Sequence, residues 1–125
     1  MARHPRPVFL NLLQIKMPVG AWTSIGHRIT GVLLALGIPA SIYVLDLSLR
    51  SEAGFAHVKA VLEPLAVKGV VVLLVWALAH HLLAGVRHLL TDVGVGSTLG
   101  AARRSGWLVN LGALALALLA AGVLL

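Results

Sequence analysis

Residues 80–92 read His80-His81-Leu82-Leu83-Ala84-Gly85-Val86-Arg87-His88-Leu89-Leu90-Thr91-Asp92. The stretch begins inside a long apolar run and ends at its polar edge. It holds three of the six histidines, one arginine and one of the four acidic residues. Lipid solvates an ionisable side chain poorly, so such a group in an apolar run points first to function. The chemistry open to a neutral imidazole here is axial ligation of a haem iron by His81, with Gly85 one turn on leaving room for a porphyrin edge. The same residues also fit a plainer role: a histidine hydrogen-bonded to a neighbouring helix, and a glycine that lets helices approach.

On a helix His81, Gly85, His88 and Asp92 fall on one face, and His80 and Arg87 share an adjacent one. His88 lies seven residues from His81, about 10 Å along the axis. Adjacent side chains point about 100° apart on a helix, so His80 and His81 cannot clasp one iron. His27 is expected near the membrane edge and the third apolar run has no histidine. A haem here therefore needs its second ligand from another polypeptide.

Ser24, His27 and Arg28 form a second cluster. Arg28 either snorkels at a helix end or joins His27 in holding haem propionates, which suit the guanidinium fork. Ser24 and Arg28, one turn apart, could donate hydrogen bonds to a quinone carbonyl; capping the helix is the plainer role for Ser24, or for Thr23. Asp92 reads as a proton carrier or as an ion-pair partner for Arg87 or Arg28, and the ion pair is favoured.

The elements that position these residues follow from composition. Of 125 residues 59% are hydrophobic and 11% charged, with a mean hydropathy of +0.98. A soluble domain carries about a quarter charged residues, so the solvent is lipid. The chain has no cysteine, which excludes a disulfide, a thiolate metal site or iron–sulfur ligation within it. A net charge of +6 could suggest nucleic acid, but the basic residues sit at the edges of apolar runs. They read as membrane topology, with no nucleic-acid partner.

The expected fold is all-α and integral to the membrane, one anchor domain over 1–125 with three transmembrane helices at about 25–49, 65–90 and 105–125. Residues 1–23 form a basic N-terminal segment, interfacial and cytoplasmic, rather than a cleaved signal peptide. Residues 50–64 read as a connecting loop with one short amphipathic turn around Phe55–Leu62, and 92–106 as a loop rich in glycine and serine. Arg3, Arg6, Lys16, Arg28, Arg87, Arg103 and Arg104 flank one face of the membrane, against Arg50, Lys59 and Lys68 on the other. Seven against three places the N-terminus in the cytoplasm and the C-terminus outside.

Three motifs resemble a known family, the cytochrome b membrane-anchor subunit of succinate dehydrogenase (respiratory complex II), in its proteobacterial form. They are Arg6-Pro7-Val8…Leu10-Asn11-Leu12 followed by Pro18; Ser24-Ile25-Gly26-His27-Arg28-Ile29-Thr30-Gly31; and His81-x-x-x-Gly85-Val86-Arg87-His88-Leu89-x-x-Asp92. Together they cover about residues 5–95, and the third span matches only in being apolar.

The resemblance implies that His81 is the axial haem b ligand, and that His27, Arg28 and His88 surround the haem, the first two near its propionates. It implies that Ser24 and Arg28 line a ubiquinone pocket. Gly85, Arg87 and Asp92 are expected in structural or ion-pair roles. Gly26 stands where the family commonly has a bulkier apolar residue, implying a wider pocket. Ubiquinone would be the substrate, and the haem would be shared with a second small anchor subunit. FAD and iron–sulfur clusters would lie only in the flavoprotein and iron–sulfur partners. The chain would then be catalytic only within the complex, as a multi-pass protein of the bacterial inner membrane. The alternatives are a haem b anchor of a fumarate reductase or other quinone oxidoreductase, and a non-redox structural membrane protein.

Overall fold

The computed structural model describes residues 16–125, which form four helices: α1 (Val19–Arg50), α2 (Glu52–Leu62), α3 (Leu65–Asp92) and α4 (Leu99–Leu124). The Arg6–Leu12 motif, Arg3 and most of the expected interfacial segment lie outside the described residues. Three helices are long and apolar enough to cross a membrane: α1, α3 and α4. At 1.5 Å per residue the 26 residues of α4 reach about 39 Å, more than a hydrocarbon core of about 30 Å. The three alternate in direction, with α3 packed between α1 and α4.

Small residues at helical spacing build the interior. The buried positions are Thr23, Thr30 and Leu34 on α1 and Ala77, His80 and Ala84 on α3, with Gly106, Val109, Ala113 and Ala117 on α4. Lipid tails are as apolar as leucine, so burial of apolar area gives these helices little reason to associate. Close backbone approach and interhelical hydrogen bonds do that instead. Gly37 shows the closeness: a Cβ there would meet Leu74 Cδ2 at 2.5 Å. The large apolar side chains point outward, Leu36 at 73% and Val123 at 85% exposure, as lipid-facing residues do.

Three boundaries differ from the sequence expectation, each for a local reason. Helix α1 starts at Val19 with Pro18 in the cap position, where a missing N–H costs nothing. Thr23 and Ser24 therefore lie inside the helix and cap nothing; the Thr23 hydroxyl donates back to the Val19 carbonyl at 3.0 Å. The 50–64 connection contains an 11-residue helix rather than a single turn. The Ser51 hydroxyl accepts from the Gly54 N–H at 3.0 Å, and Glu52 opens the helix where its dipole favours an anion. Val58 is the buried residue of α2.

The second connection shrinks to residues 93–98. Helix α3 ends with the Val95 N–H on the Leu90 carbonyl at 2.8 Å and the Gly94 N–H on the Thr91 carbonyl at 3.0 Å. This Schellman arrangement needs a left-handed residue, supplied by Gly94 at φ 83°. Thr98 then caps α4, accepting from the Ala101 N–H at 3.4 Å.

Ala113 is fully buried, whereas Ala115 is exposed. Replacing Ala113 by leucine is expected to destabilise the bundle by about 1–3 kcal/mol through overpacking, and Ala115→Leu to leave stability within about 0.5 kcal/mol. Reversible denaturation in detergent, followed by circular dichroism, checks the difference.

Candidate functional site

The site is built where α1 and α3 cross near the end of the bundle that carries Arg87, Arg103 and Arg104. Thr30 is fully buried, and its hydroxyl donates to carbonyls one turn back, Gly26 at 2.8 Å and His27 at 3.0 Å. His81 comes against this turn from α3. Its Nδ1 lies 3.0 Å from the His27 carbonyl oxygen and 3.3 Å from Thr30 Oγ1. A carbonyl oxygen can only accept, so His81 Nδ1 carries a proton, which in the neutral tautomer leaves the lone pair on Nε2. Gly31 leaves the space for this: a Cβ there would stand 3.1 Å from His81 Cε1.

The other two histidines gather on the same side. The His27 ring stacks on His81 with centroids 4.0 Å apart and planes 11° apart, and meets His88 edge-on at 5.2 Å. Gly85 closes the group: a Cβ there would lie 3.4 Å from His27 Nε2. The structure thus brings together His27, His81, Gly85 and His88. The His27 ring lies level with His81 along the bundle, because α1 starts early enough to carry it there. The two rings are stacked 4.0 Å apart and leave no gap for a porphyrin between them, so they still cannot ligate one iron from opposite sides.

Ser24 is half-buried and Arg28 exposed, one turn apart on α1. A cavity of about 700 Å³ opens elsewhere, between α3 and α4, and is lined by Arg87, Thr91, Arg104 and Ser105 among apolar residues. Neither Ser24 nor Arg28 lines it.

Arg87 and Asp92 depart from expectation. Arg87 reaches α4, donating from Nε to Ser105 Oγ at 2.9 Å and from Nη2 to the Ala102 carbonyl at 3.2 Å. It also comes within 3.4 Å of a Cβ placed on Gly20 of α1. The favoured Asp92 ion pair is absent: the ion pairs among the described residues are Asp46–Arg50 and Glu63–Lys68. Five residues of helix put Arg87 and Asp92 about 140° apart, so Arg87 turns into the bundle while Asp92 stays exposed.

Gly26 also changes meaning. The space beside it belongs to the His80 ring, whose Cε1 would lie 2.7 Å from an added Cβ. The glycine makes room for a histidine of the same chain, not for a wider quinone pocket. Asn110, which sequence reasoning passed over, bonds His80 across the bundle at 3.1 Å. The available signal was that an amide in an apolar span needs a partner.

Among the described residues no three histidine or acidic side chains converge to hold a bare metal ion. A haem asks less, since its porphyrin supplies four nitrogens and the protein one axial donor per face. A half-buried imidazole with Nδ1 tied to a carbonyl and Nε2 free fits that requirement.

The family described as succinate dehydrogenase/fumarate reductase transmembrane subunit matches residues 2–120. The chain belongs to this family. Among its relatives, the succinate dehydrogenase cytochrome b556 subunit of Coxiella burnetii is 37% identical over 108 residues, covering 83% of this chain and 84% of the relative. That of Paracoccus denitrificans is 36% identical over 119 residues, 94% of this chain and 90% of the relative. That of Rickettsia bellii is 32% identical over 106 residues, 83% and 81%. Family and spans agree on a multi-pass protein of the bacterial inner membrane.

Arg87→Met keeps the stem but removes the bonds to Ser105 and Ala102. It is expected to cost about 1.5–3 kcal/mol, the worth of hydrogen bonds to a charged group. Thermal unfolding of the detergent-solubilised protein should show the loss, and a matched Arg103→Met change at an exposed position should not.

Proposed function

We propose that this chain is the haem b-binding membrane anchor of a succinate:ubiquinone oxidoreductase. The observation that carries the reading is the His81 imidazole. Its Nδ1–H is spent on the His27 carbonyl, which fixes both tautomer and ring plane and leaves Nε2 as the donor toward iron. A second small anchor subunit would supply the other ligand, since no other histidine of the described residues is placed to share the iron with His81. Haem b, when bound, supplies a one-electron centre.

His27 and Arg28 would hold the haem propionates, Arg28 through its guanidinium, with His88 edge-on to His27 beside the same space. Ser24 and Arg28 donate hydrogen bonds to a carbonyl of ubiquinone and draw electron density toward that oxygen as the ring is reduced. The basic end of the bundle faces the cytoplasm and the C-terminus lies outside. Exposed Arg28 therefore meets the iron–sulfur subunit's side of the membrane, where ubiquinone takes two electrons and two protons. The flavoprotein oxidises succinate to fumarate, with FAD and iron–sulfur clusters confined to the partners. The family description covers both directions of that couple; the relatives' names favour succinate oxidation over fumarate reduction.

In the purified complex, His81→Ala should remove or strongly weaken the reduced-minus-oxidised b-type haem spectrum; an unchanged spectrum would take His81 off the iron. Arg28→Leu should lower succinate–ubiquinone reductase activity about ten- to hundred-fold, as expected for losing a charge-assisted bond of ~1.5–3 kcal/mol, with Ser24→Ala a smaller loss. Succinate–dye activity should stay intact in both. Equal loss of the two activities would indicate failed assembly rather than a quinone site.

A further inference from the structure

Among the described residues His80 is the histidine that the bundle buries, at 4% exposure, and the haem reading gives it no task. Three helices hold its ring. On α1, Gly26 leaves the notch it fills: an added Cβ would stand 2.7 Å from Cε1 and 3.0 Å from Nε2. On α4, Asn110 Oδ1 lies 3.1 Å from Nε2. On α3, Trp76 tilts against the ring with centroids 5.6 Å apart.

The proton can be placed. His80 Nδ1 is buried and has no partner. If Nδ1 bore the hydrogen, a buried donor would face no acceptor, which is worse than an unused lone pair. The stable arrangement has Nε2–H donating to Asn110 Oδ1, and the same arrangement selects the orientation of the amide. Thr23 Oγ1, 3.4 Å from Oδ1, flanks the amide on the α1 side.

We propose that Gly26, His80 and Asn110 interlock the three spans so as to set the rotation of α3 and thereby aim His81; His80 is a positioning residue for the haem ligand. The proposal rests on the haem reading of His81. Consecutive side chains on a helix are held about 100° apart, so fixing one fixes the direction of the next. With His80 seated between the notch and the amide, His81 falls against α1. There Gly31 gives it room and the His27 carbonyl takes its Nδ1–H at 3.0 Å. Freed from Asn110, α3 can turn, and that 3.0 Å bond is the first to lengthen.

The bond has an electronic consequence. A carbonyl that accepts from Nδ1–H makes Nε2 a stronger donor, and stronger donation favours ferric over ferrous iron. Loosening the interlock should therefore raise the haem midpoint potential. It should also broaden the α-band, as the ligand samples more orientations.

The test uses the whole complex in its membrane. Redox titration and reduced-minus-oxidised spectra are recorded for wild type, Asn110→Leu, His80→Ala, His80→Gln and Gly26→Leu, and for the double variant Gly26→Leu/His80→Ala. Succinate–dye activity reports assembly. Asn110→Leu and His80→Ala should keep haem with a raised potential and a broadened band. His80→Gln, whose amide N–H can replace the donor Nε2–H, should stay near wild type. Gly26→Leu should lose most of its haem, and the double variant should regain it, because the leucine then fills the place of the ring.

A wild-type potential and band in Asn110→Leu, or a double variant no better than Gly26→Leu alone, would overturn the interlock. Retention of haem by His81→Ala would overturn the haem reading instead. Loss of haem in His81→Ala beside an unaltered Asn110→Leu would leave that reading standing and remove only the interlock.

Discussion

The candidate site depends on one hydrogen bond between spans, from His81 Nδ1 on α3 to the His27 carbonyl on α1. That carbonyl belongs to a helix turn already engaged by the Thr30 hydroxyl, so it cannot move independently of α1. The bond decides which imidazole nitrogen bears the proton, where the ring lies, and that Nε2 is the atom left to act. The Gly31 notch, the stacking of His27 and the place of His88 all follow once the ring is held there.

Such a bond persists because the bundle around it suits lipid. Alanine and glycine line the interior, so the backbones approach until polar side chains can meet across helices. Each of those side chains then finds an acceptor on another span or on its own helix. Thr23 and Thr30 donate back one turn, Arg87 reaches the start of α4, and His80 meets Asn110. In water such contacts would compete with solvent; inside a bilayer an unpaired polar group has no such refuge. The bundle is therefore held by a few directional contacts at the end that carries the histidines, while the leucine-rich remainder faces outward.

Much of this was legible from sequence, for reasons that can be stated. Span length and hydropathy located α1, α3 and α4, since each apolar run is long enough to cross a bilayer. Helical periodicity placed His81, Gly85 and His88 on one side of α3, and His80 and Arg87 on another. The structure shows what that second side is for: both residues bond to α4. Local capping chemistry moved the boundaries, because Pro18 opens α1 early and Ser51 nucleates α2. Pairing across helices was the part that periodicity could not give. Nothing in the sequence says that Gly26 meets His80, that Asn110 answers it from α4, or that Arg87 prefers Ser105 to Asp92. Those choices depend on how α3 is rotated between its neighbours.

The central claim is that His81 Nε2 is the donor to iron and that its Nδ1 remains on the His27 carbonyl. A high-resolution density map of the purified complex tests this most directly. The expected result is haem iron bonded to His81 Nε2, with the Nδ1 to carbonyl bond intact and the opposite ligand provided by another polypeptide of the complex. Iron bonded to His27, His80 or His88, or a His81 ring turned away from the His27 carbonyl, would contradict it.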